Sequence, residues 1–412
     1  MHSKIISKNN YDISIYNTDK FKSIELHLLF RLNRSVDDYL VQAIKYTIFR
    51  FNKIYKSRRE MAIQEEELYN EYFNMASYRK GKHMILEAYV SIINPELVKD
   101  DYLKDAIKYL FDLIYNPLFD DKSLKYVKDR MNTDYNRMQE KPAQIASLNA
   151  YHLFMDGVIE KSDLVVDKET VDSITIDDLE RKYNEIINNS NLGVYVLGDV
   201  SKYEDEIVEI LDSNIKTNNC ALDEYKINVP TVDKVKEKTD YKNDINQTQL
   251  FMIYNTPLLE NELDKYKLNL FSIILGDHGQ ASRLFNNVRE KKQVCYVISS
   301  SYDATNNCLR IYSGTNTSTL DDTIEEIKKT LDSMRSITDE ELENAKTYYI
   351  NQIDGIYDDM FSIYRKIMHI KEYNCNDIET DKKLIMKVTK EDIQNLVDDI
   401  KLNTLYVLKG DK

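Results

Sequence analysis

The sequence predicts an α+β fold of two homologous domains, each an antiparallel sheet with helices packed on one face. Three observations lead there. Two strand-like runs, "NLGVYVLGD" from Asn191 and "LNTLYVLKGD" from Leu402, close on the same Gly-Asp turn, with Tyr195 and Tyr406 standing 211 residues apart. Each run follows a capped helix start, Thr175 with Asp178 and Thr389 with Asp392, in which Asp takes the place of the usual Glu of a capping box. Further upstream, two long amphipathic helices repeat as well, one with Leu103, Ile107, Leu110 and Ile114 on a single stripe, the other with Leu320, Ile324, Ile327, Leu331 and Met334.

The remaining elements fall into the same order. Each half opens on a strand, "IELHLLFRL" from Ile24 and "TQLFMIYN" from Thr248, 224 residues apart. Each amphipathic helix is followed by a break and a second helix start, "DDKSLKYVKDRM" and "TDEELENAKTYY", the latter with a Thr338/Glu341 capping box. Matched elements at nearly constant offset point to an internal duplication, with one domain over 1–220 and the second over 221–412. The boundary is expected within Ser213–Asn246, a polar stretch rich in Lys and Asp with no apolar period.

Composition narrows the function classes. With 42% hydrophobic residues the chain can build two sizeable cores, and a net charge of −14 argues against nucleic acid or an anionic membrane as partner. No apolar run is long enough for a signal peptide or a membrane span. Four cysteines, Cys220, Cys295, Cys308 and Cys375, lie far apart without metal or disulfide spacing, so a cytoplasmic location is expected. The abundance of Lys, Asn, Ile and Tyr hints at an AT-rich bacterial genome. Cys295, between Val294 and Tyr296 in a strand-like run, reads as a packed cysteine rather than a nucleophile.

The segment "SRLFNNVREKKQVCYVISSSYD", from Ser282 to Asp303, resembles the C-terminal domain of the insulinase/pitrilysin-type zinc peptidases. "YNPLF" from Tyr115 to Phe119 and Glu140-Lys141-Pro142 resemble the N-terminal domain of that family, and "ITDEELENAK" from Ile337 to Lys346 the C-terminal one. The resemblance spans nearly the whole chain and fits the short, two-domain branch that includes mitochondrial processing peptidase.

The departure from the family is chemical. Its active members hold zinc through an inverted His-x-x-Glu-His motif on the first helix of the N-terminal domain, where two imidazoles on successive turns face one ion and the Glu serves as base. The equivalent helix here is "DYLVQAIKYTIFRFN", Asp38 to Asn52, with no His and no acid beyond its first turn. The six histidines, His2, His27, His83, His152, His278 and His369, are never close enough in sequence to form either HxxEH or HExxH. His83 and Glu87 lie four apart, but in a strand-like run, and read as surface charge. His278, between two glycines, reads as a loop residue, and the acidic segment Arg58–Phe73 as a solvated helix face. No metal and no cofactor is expected in this chain.

The resemblance implies a role nonetheless. Bacterial members of the short branch often resemble a pair of related proteins, one with the zinc motif and one without. The motif-less partner keeps an Arg and a Tyr seven residues apart in its C-terminal domain, matched here by Arg289 and Tyr296. The expectation is a non-catalytic, substrate-binding subunit, inactive alone, that pairs with an HxxEH-containing paralogous subunit to process an extended peptide substrate. Zinc is expected only in that partner, and a homodimer is the alternative assembly when the chain is isolated. The competing expectation is a structural or scaffolding member of the family with no part in proteolysis.

Overall fold

The computed structural model describes residues 3–216 and 220–410. Its strands are β1 (Lys4–Ser7), β2 (Asp12–Asn17), β3 (Ser23–Asn33), β4 (Tyr72–Lys80), β5 (His83–Ile93), β6 (Asn191–Gly198), β7 (Lys236–Lys242), β8 (Thr248–Asn255), β9 (Cys295–Asp303), β10 (Cys308–Thr315) and β11 (Lys401–Gly410). They form a six-stranded sheet in the order β1-β2-β6-β3-β5-β4 and a five-stranded sheet in the order β7-β11-β8-β10-β9. With β1 set aside the two orders are the same, so the duplication read from the closing strands extends to the whole strand topology.

Both sheets are antiparallel except for one pair at the same place in each. β2 runs parallel to β6, and β7 parallel to β11. These strands open and close each repeat, and parallel neighbours need a long connection, which the intervening helices and strands supply. β7 lies inside the polar stretch expected as a linker. Its sequence, KEKTDYK, shows no apolar alternation because it is an edge strand, where charge is tolerated and guards against unwanted pairing.

Helices form where capping and periodicity place them. They include α1 (Tyr39–Ile48), α2 (Arg58–Glu67), α3 (Leu103–Tyr115), α4 (Asp121–Gln139), α5 (Pro142–Met155), α6 (Ile176–Asn189), α7 (Glu262–Ser272), α8 (Leu320–Asp332), α9 (Asp339–Asp354), α10 (Met360–Tyr373) and α11 (Lys390–Asn395). Capping boxes are closed at Thr175/Asp178, Thr338/Glu341 and Thr389/Asp392. The α3 stripe is buried as read, while on α8 Ile324 remains half-exposed and the stripe continues into a 3₁₀ turn at Met334.

Two compact units emerge, and they are not the contiguous halves 1–220 and 221–412. The first comprises residues 1–136, 162–225 and 360–374, and the second comprises 137–161, 226–359 and 375–412. α5 therefore belongs with the second sheet and α10 with the first. The reason lies in the strands, whose alternate residues face opposite sides. On β3, Leu26, Leu28 and Phe30 join a core with α1, α3 and α6, whereas His27 and Arg31 face the other way, where α10 covers them. On the second sheet Phe251, Ile253, Tyr406 and Leu408 pack with Ala146, Ala150 and Phe154 of α5. Helices of its own half cover one face of each sheet, as expected, and the opposite face takes one helix from elsewhere in the sequence.

The glycine closing the first repeat has a defined role. Gly198 ends β6 at φ +128°, and a Cβ there would stand 2.6 Å from the Ser23 carbonyl oxygen. Gly198→Ala is expected to cost more than ~1 kcal/mol of stability, because Ala is strained at positive φ and the backbone must also shift. Equilibrium urea unfolding measures it.

Candidate functional site

Arg289 lies in a π-helical turn, Phe285–Lys291, that leads through a short loop into β9. Its guanidinium stacks 4.8 Å from the Phe285 ring centre, and its nearest carboxylate is that of neighbouring Glu290 at 3.9 Å. Tyr296 owes its position to a β-bulge. Thr315 pairs with Cys295 and Gly314 with Val297, so Tyr296 is left over between two paired residues. A bulge re-aims a side chain, and here the phenol is 52% exposed, held only by the Asn316 amide, whose Nδ2 donates to its oxygen at 3.1 Å. No hydrogen bond joins Arg289 to Tyr296, and neither is buried in the sheet. Tyr296 sits on the hairpin edge, because β9 is the outermost strand of its sheet, and Arg289 lies in the helical turn before it.

Between them in sequence, Cys295 is buried, and burial pushes its thiol above the usual value, so it stays protonated at neutral pH. The packed-cysteine reading holds. His278 is half-buried in the turn after Asp277, its ring 4.0 Å from that of Tyr348.

The His83/Glu87 reading is corrected. Both are buried, not surface charge. His83 Nε2 lies 2.8 Å from the Asp223 carbonyl oxygen, and burial lowers its pKa. Glu87 belongs to a cluster the sequence did not disclose. Its Oε1 is 3.0 Å from Nδ1 of His27, and its Oε2 accepts from the Tyr78 hydroxyl at 3.0 Å. Nε2 of His27 is 3.0 Å from Glu25 Oε2, and the imidazole is stacked against Tyr364 at 3.7 Å and Tyr89 at 5.0 Å. Burial disfavours the imidazolium, but the two carboxylate hydrogen bonds outweigh it, so the pKa of His27 is raised. Burial likewise opposes the Glu87 carboxylate, yet the His27 bond and charge hold its pKa below the usual range. Nearby, Glu372 of α10 bonds both Arg31 and the Tyr195 hydroxyl. The available signal was the alternation of Glu25, His27 and Arg31 along an otherwise apolar strand, which marks one polar face.

These groups do not make a zinc site. α1 reads YLVQAIKYTI, with no His, Asp or Glu, so its residues offer no ligand to a metal. Both ring nitrogens of His27 are already committed to carboxylates. Among the described residues no group of three His, Cys, Asp or Glu is placed to hold a metal ion. In α2, where active members continue beyond their zinc helix, only Met61 is buried, and the solvated reading fits; Glu71, just beyond it, is buried and accepts from the Ile93 N–H at 2.9 Å. Among the described residues no helix is long and apolar enough to cross a membrane.

Comparison with known proteins agrees with this arrangement. The model of the family described as Peptidase M16 inactive domain matches residues 173–349. A probable inactive metalloprotease of Bacillus subtilis, YmfF, is 23% identical over 96% of this chain and 95% of its own length. A conserved protein from Enterococcus faecalis has the same fold, with TM-score 0.92 and 20% identity over 100% of this chain and 99% of its own. The peptidase M16 inactive domain from Pseudomonas fluorescens superposes at TM-score 0.79 with 15% identity, over 100% of this chain and 99% of that one. With the two-sheet fold, a first helix devoid of zinc ligands and these relatives together, the chain is similar to the inactive, non-peptidase homologues of the peptidase M16 family.

Proposed function

We propose that the chain is the substrate-binding, non-catalytic subunit of a heterodimeric zinc peptidase, whose HxxEH-bearing partner supplies the metal and the attacking water. What supports this reading is the bulged Tyr296 on the edge strand and Arg289 in the helical turn that leads into it, two hydrogen-bond donors left at solvent, while among the described residues no group is placed to hold zinc. An edge strand such as β9 offers unpaired backbone groups to an extended peptide, which gives affinity without sequence specificity. Arg and Tyr then act on the peptide bond held in the partner's zinc site. A scaffold would have no use for an exposed donor pair at this place.

The test is reconstitution. Purified alone, the chain is expected to bind no stoichiometric zinc and cleave no peptide, since no helix offers two imidazoles to one ion. Combined with an HxxEH paralogue it should form a one-to-one complex that cleaves peptides faster than the paralogue alone, and chelator should abolish the activity. Zinc bound tightly to the isolated chain, with chelator-sensitive cleavage, would overturn the non-catalytic reading. A complex no faster than the paralogue alone would instead favour a scaffold.

A further inference from the structure

The duplication places two positions in register and fills them with opposite charges. In the first sheet Tyr195 of β6 stands opposite His27 of β3, which stands opposite Tyr89 of β5, and Glu87 lies two residues before Tyr89. In the second, Tyr406 of β11 stands opposite Phe251 of β8, which stands opposite Tyr312 of β10, and Arg310 lies two residues before Tyr312. Arg310 is thus the counterpart of Glu87, and Phe251 the counterpart of His27. Glu87 is satisfied by His27 and Tyr78. Arg310 has no such neighbour. Its guanidinium makes no ion pair or hydrogen bond with the described residues, and its Nε is buried without a partner. An unpaired, partly buried cation is costly, and such a group calls for an explanation.

The explanation lies in front of it. Arg310 opens on a cleft of about 300 Å³ within the second unit. Ser301, its cross-strand neighbour, and Ser299 line the β9 side. Gln144 and Ser147 of α5 form the facing wall, and the first turn of α5 carries no acidic residue. Phe251 and Tyr312 supply flat aromatic surface. No carboxylate lines the cleft, although the chain as a whole is acidic.

We infer that the Arg310 cleft is a carboxylate-binding subsite. A single guanidinium fork matches a planar carboxylate in charge and geometry, with serine hydroxyls as further donors. A phosphate dianion would call for a second cation, and neither Lys nor another Arg lines the cleft. The volume suits one side chain or one chain terminus rather than a longer ligand. The inference rests on the peptide-binding reading only for the source of the carboxylate, a free C-terminus or an acidic side chain.

The test uses the isolated full chain, without any partner, so that its outcome is separate from that of the reconstituted peptidase. Ligand-observed NMR titrations with Ala-Ala-Ala, its C-terminal amide, N-acetyl-glutamate amide and inorganic phosphate separate the two carboxylate sources from each other and from phosphate. Binding is expected for at least one carboxylate probe and not for the neutral amide. Arg310→Gln should weaken it at least tenfold. Gln144→Glu should do the same at an exposed helix position where an added acid favours the helix, so that loss of binding comes with an undiminished melting temperature. Unchanged affinity in both variants, or phosphate binding as tight as carboxylate, would overturn the assignment.

Discussion

Replacing Arg289 by Ala, or Tyr296 by Phe, is expected to lower turnover by the reconstituted peptidase roughly 10²-fold, the scale of losing one oxyanion-hole donor. Attack of metal-bound water on a peptide carbonyl concentrates negative charge on one oxygen. A guanidinium and a phenol aimed at that oxygen, or at the neighbouring backbone carbonyls, stabilise the transition state in a cleft where water no longer competes. Both donors are available, since Arg289 stacks on Phe285 with the neighbouring Glu290 carboxylate no nearer than 3.9 Å, and the Tyr296 hydroxyl meets the Asn316 amide. Neither holds the fold together, so folding and subunit pairing should be unchanged in the variants. The measurement is kcat and KM of the pair, with complex formation checked by size exclusion. Wild-type turnover in both variants would return the two residues to a structural role and favour the scaffold.

A second large effect is expected at His27. His27→Ala leaves the Glu87 carboxylate, 2% exposed, without its cation, and breaking such a buried pair costs about 3–5 kcal/mol. The cost should depend on pH with a definite sign. The folded pKa of His27 is raised above its unfolded value near 6.5, so its contribution is complete below about pH 6.5 and is lost as pH rises through the higher folded value. The folded pKa of Glu87 is lowered, so its contribution is present above its unfolded value of about 4.5 and is lost as pH falls through the lower folded one. The pair stabilises the first unit most between these limits. Urea unfolding of wild type and His27→Gln, a smaller perturbation, should therefore differ more at pH 5.5 than at pH 9. An equal difference at both values would mean that the imidazole is not held as a cation.

Much of this fold was legible before any coordinate was known. The capping boxes at Thr175, Thr338 and Thr389 mark helix starts because the side chain and backbone that close them are three residues apart, a local event. The strands at Ile24 and Thr248 and the closing pair at Tyr195 and Tyr406 carry β-branched and aromatic runs that suit a pleated surface. The Arg289/Tyr296 pair was proposed from its spacing and its likeness to a family, and its role rests on that likeness. β7 was not, because a polar edge strand is specified by its neighbour β11 rather than by its own residues.

The sequence by itself determined the duplication, the element order and the absence of an HxxEH motif, since each depends on residue identity at short range or on a fixed offset. Only the tertiary structure decided which helix covers which face. α5 and α10 each pack on a sheet far from their neighbours in sequence, and periodicity reports that a helix has an apolar stripe without naming the surface that buries it. It also decided the charges. His27, Glu87 and Arg310 are all polar residues in strands, yet the first two are joined across β3 and β5 while the third faces an open cleft. The difference rests on cross-strand neighbours, because a buried charge takes its energy from what stands opposite, and register alone sets that.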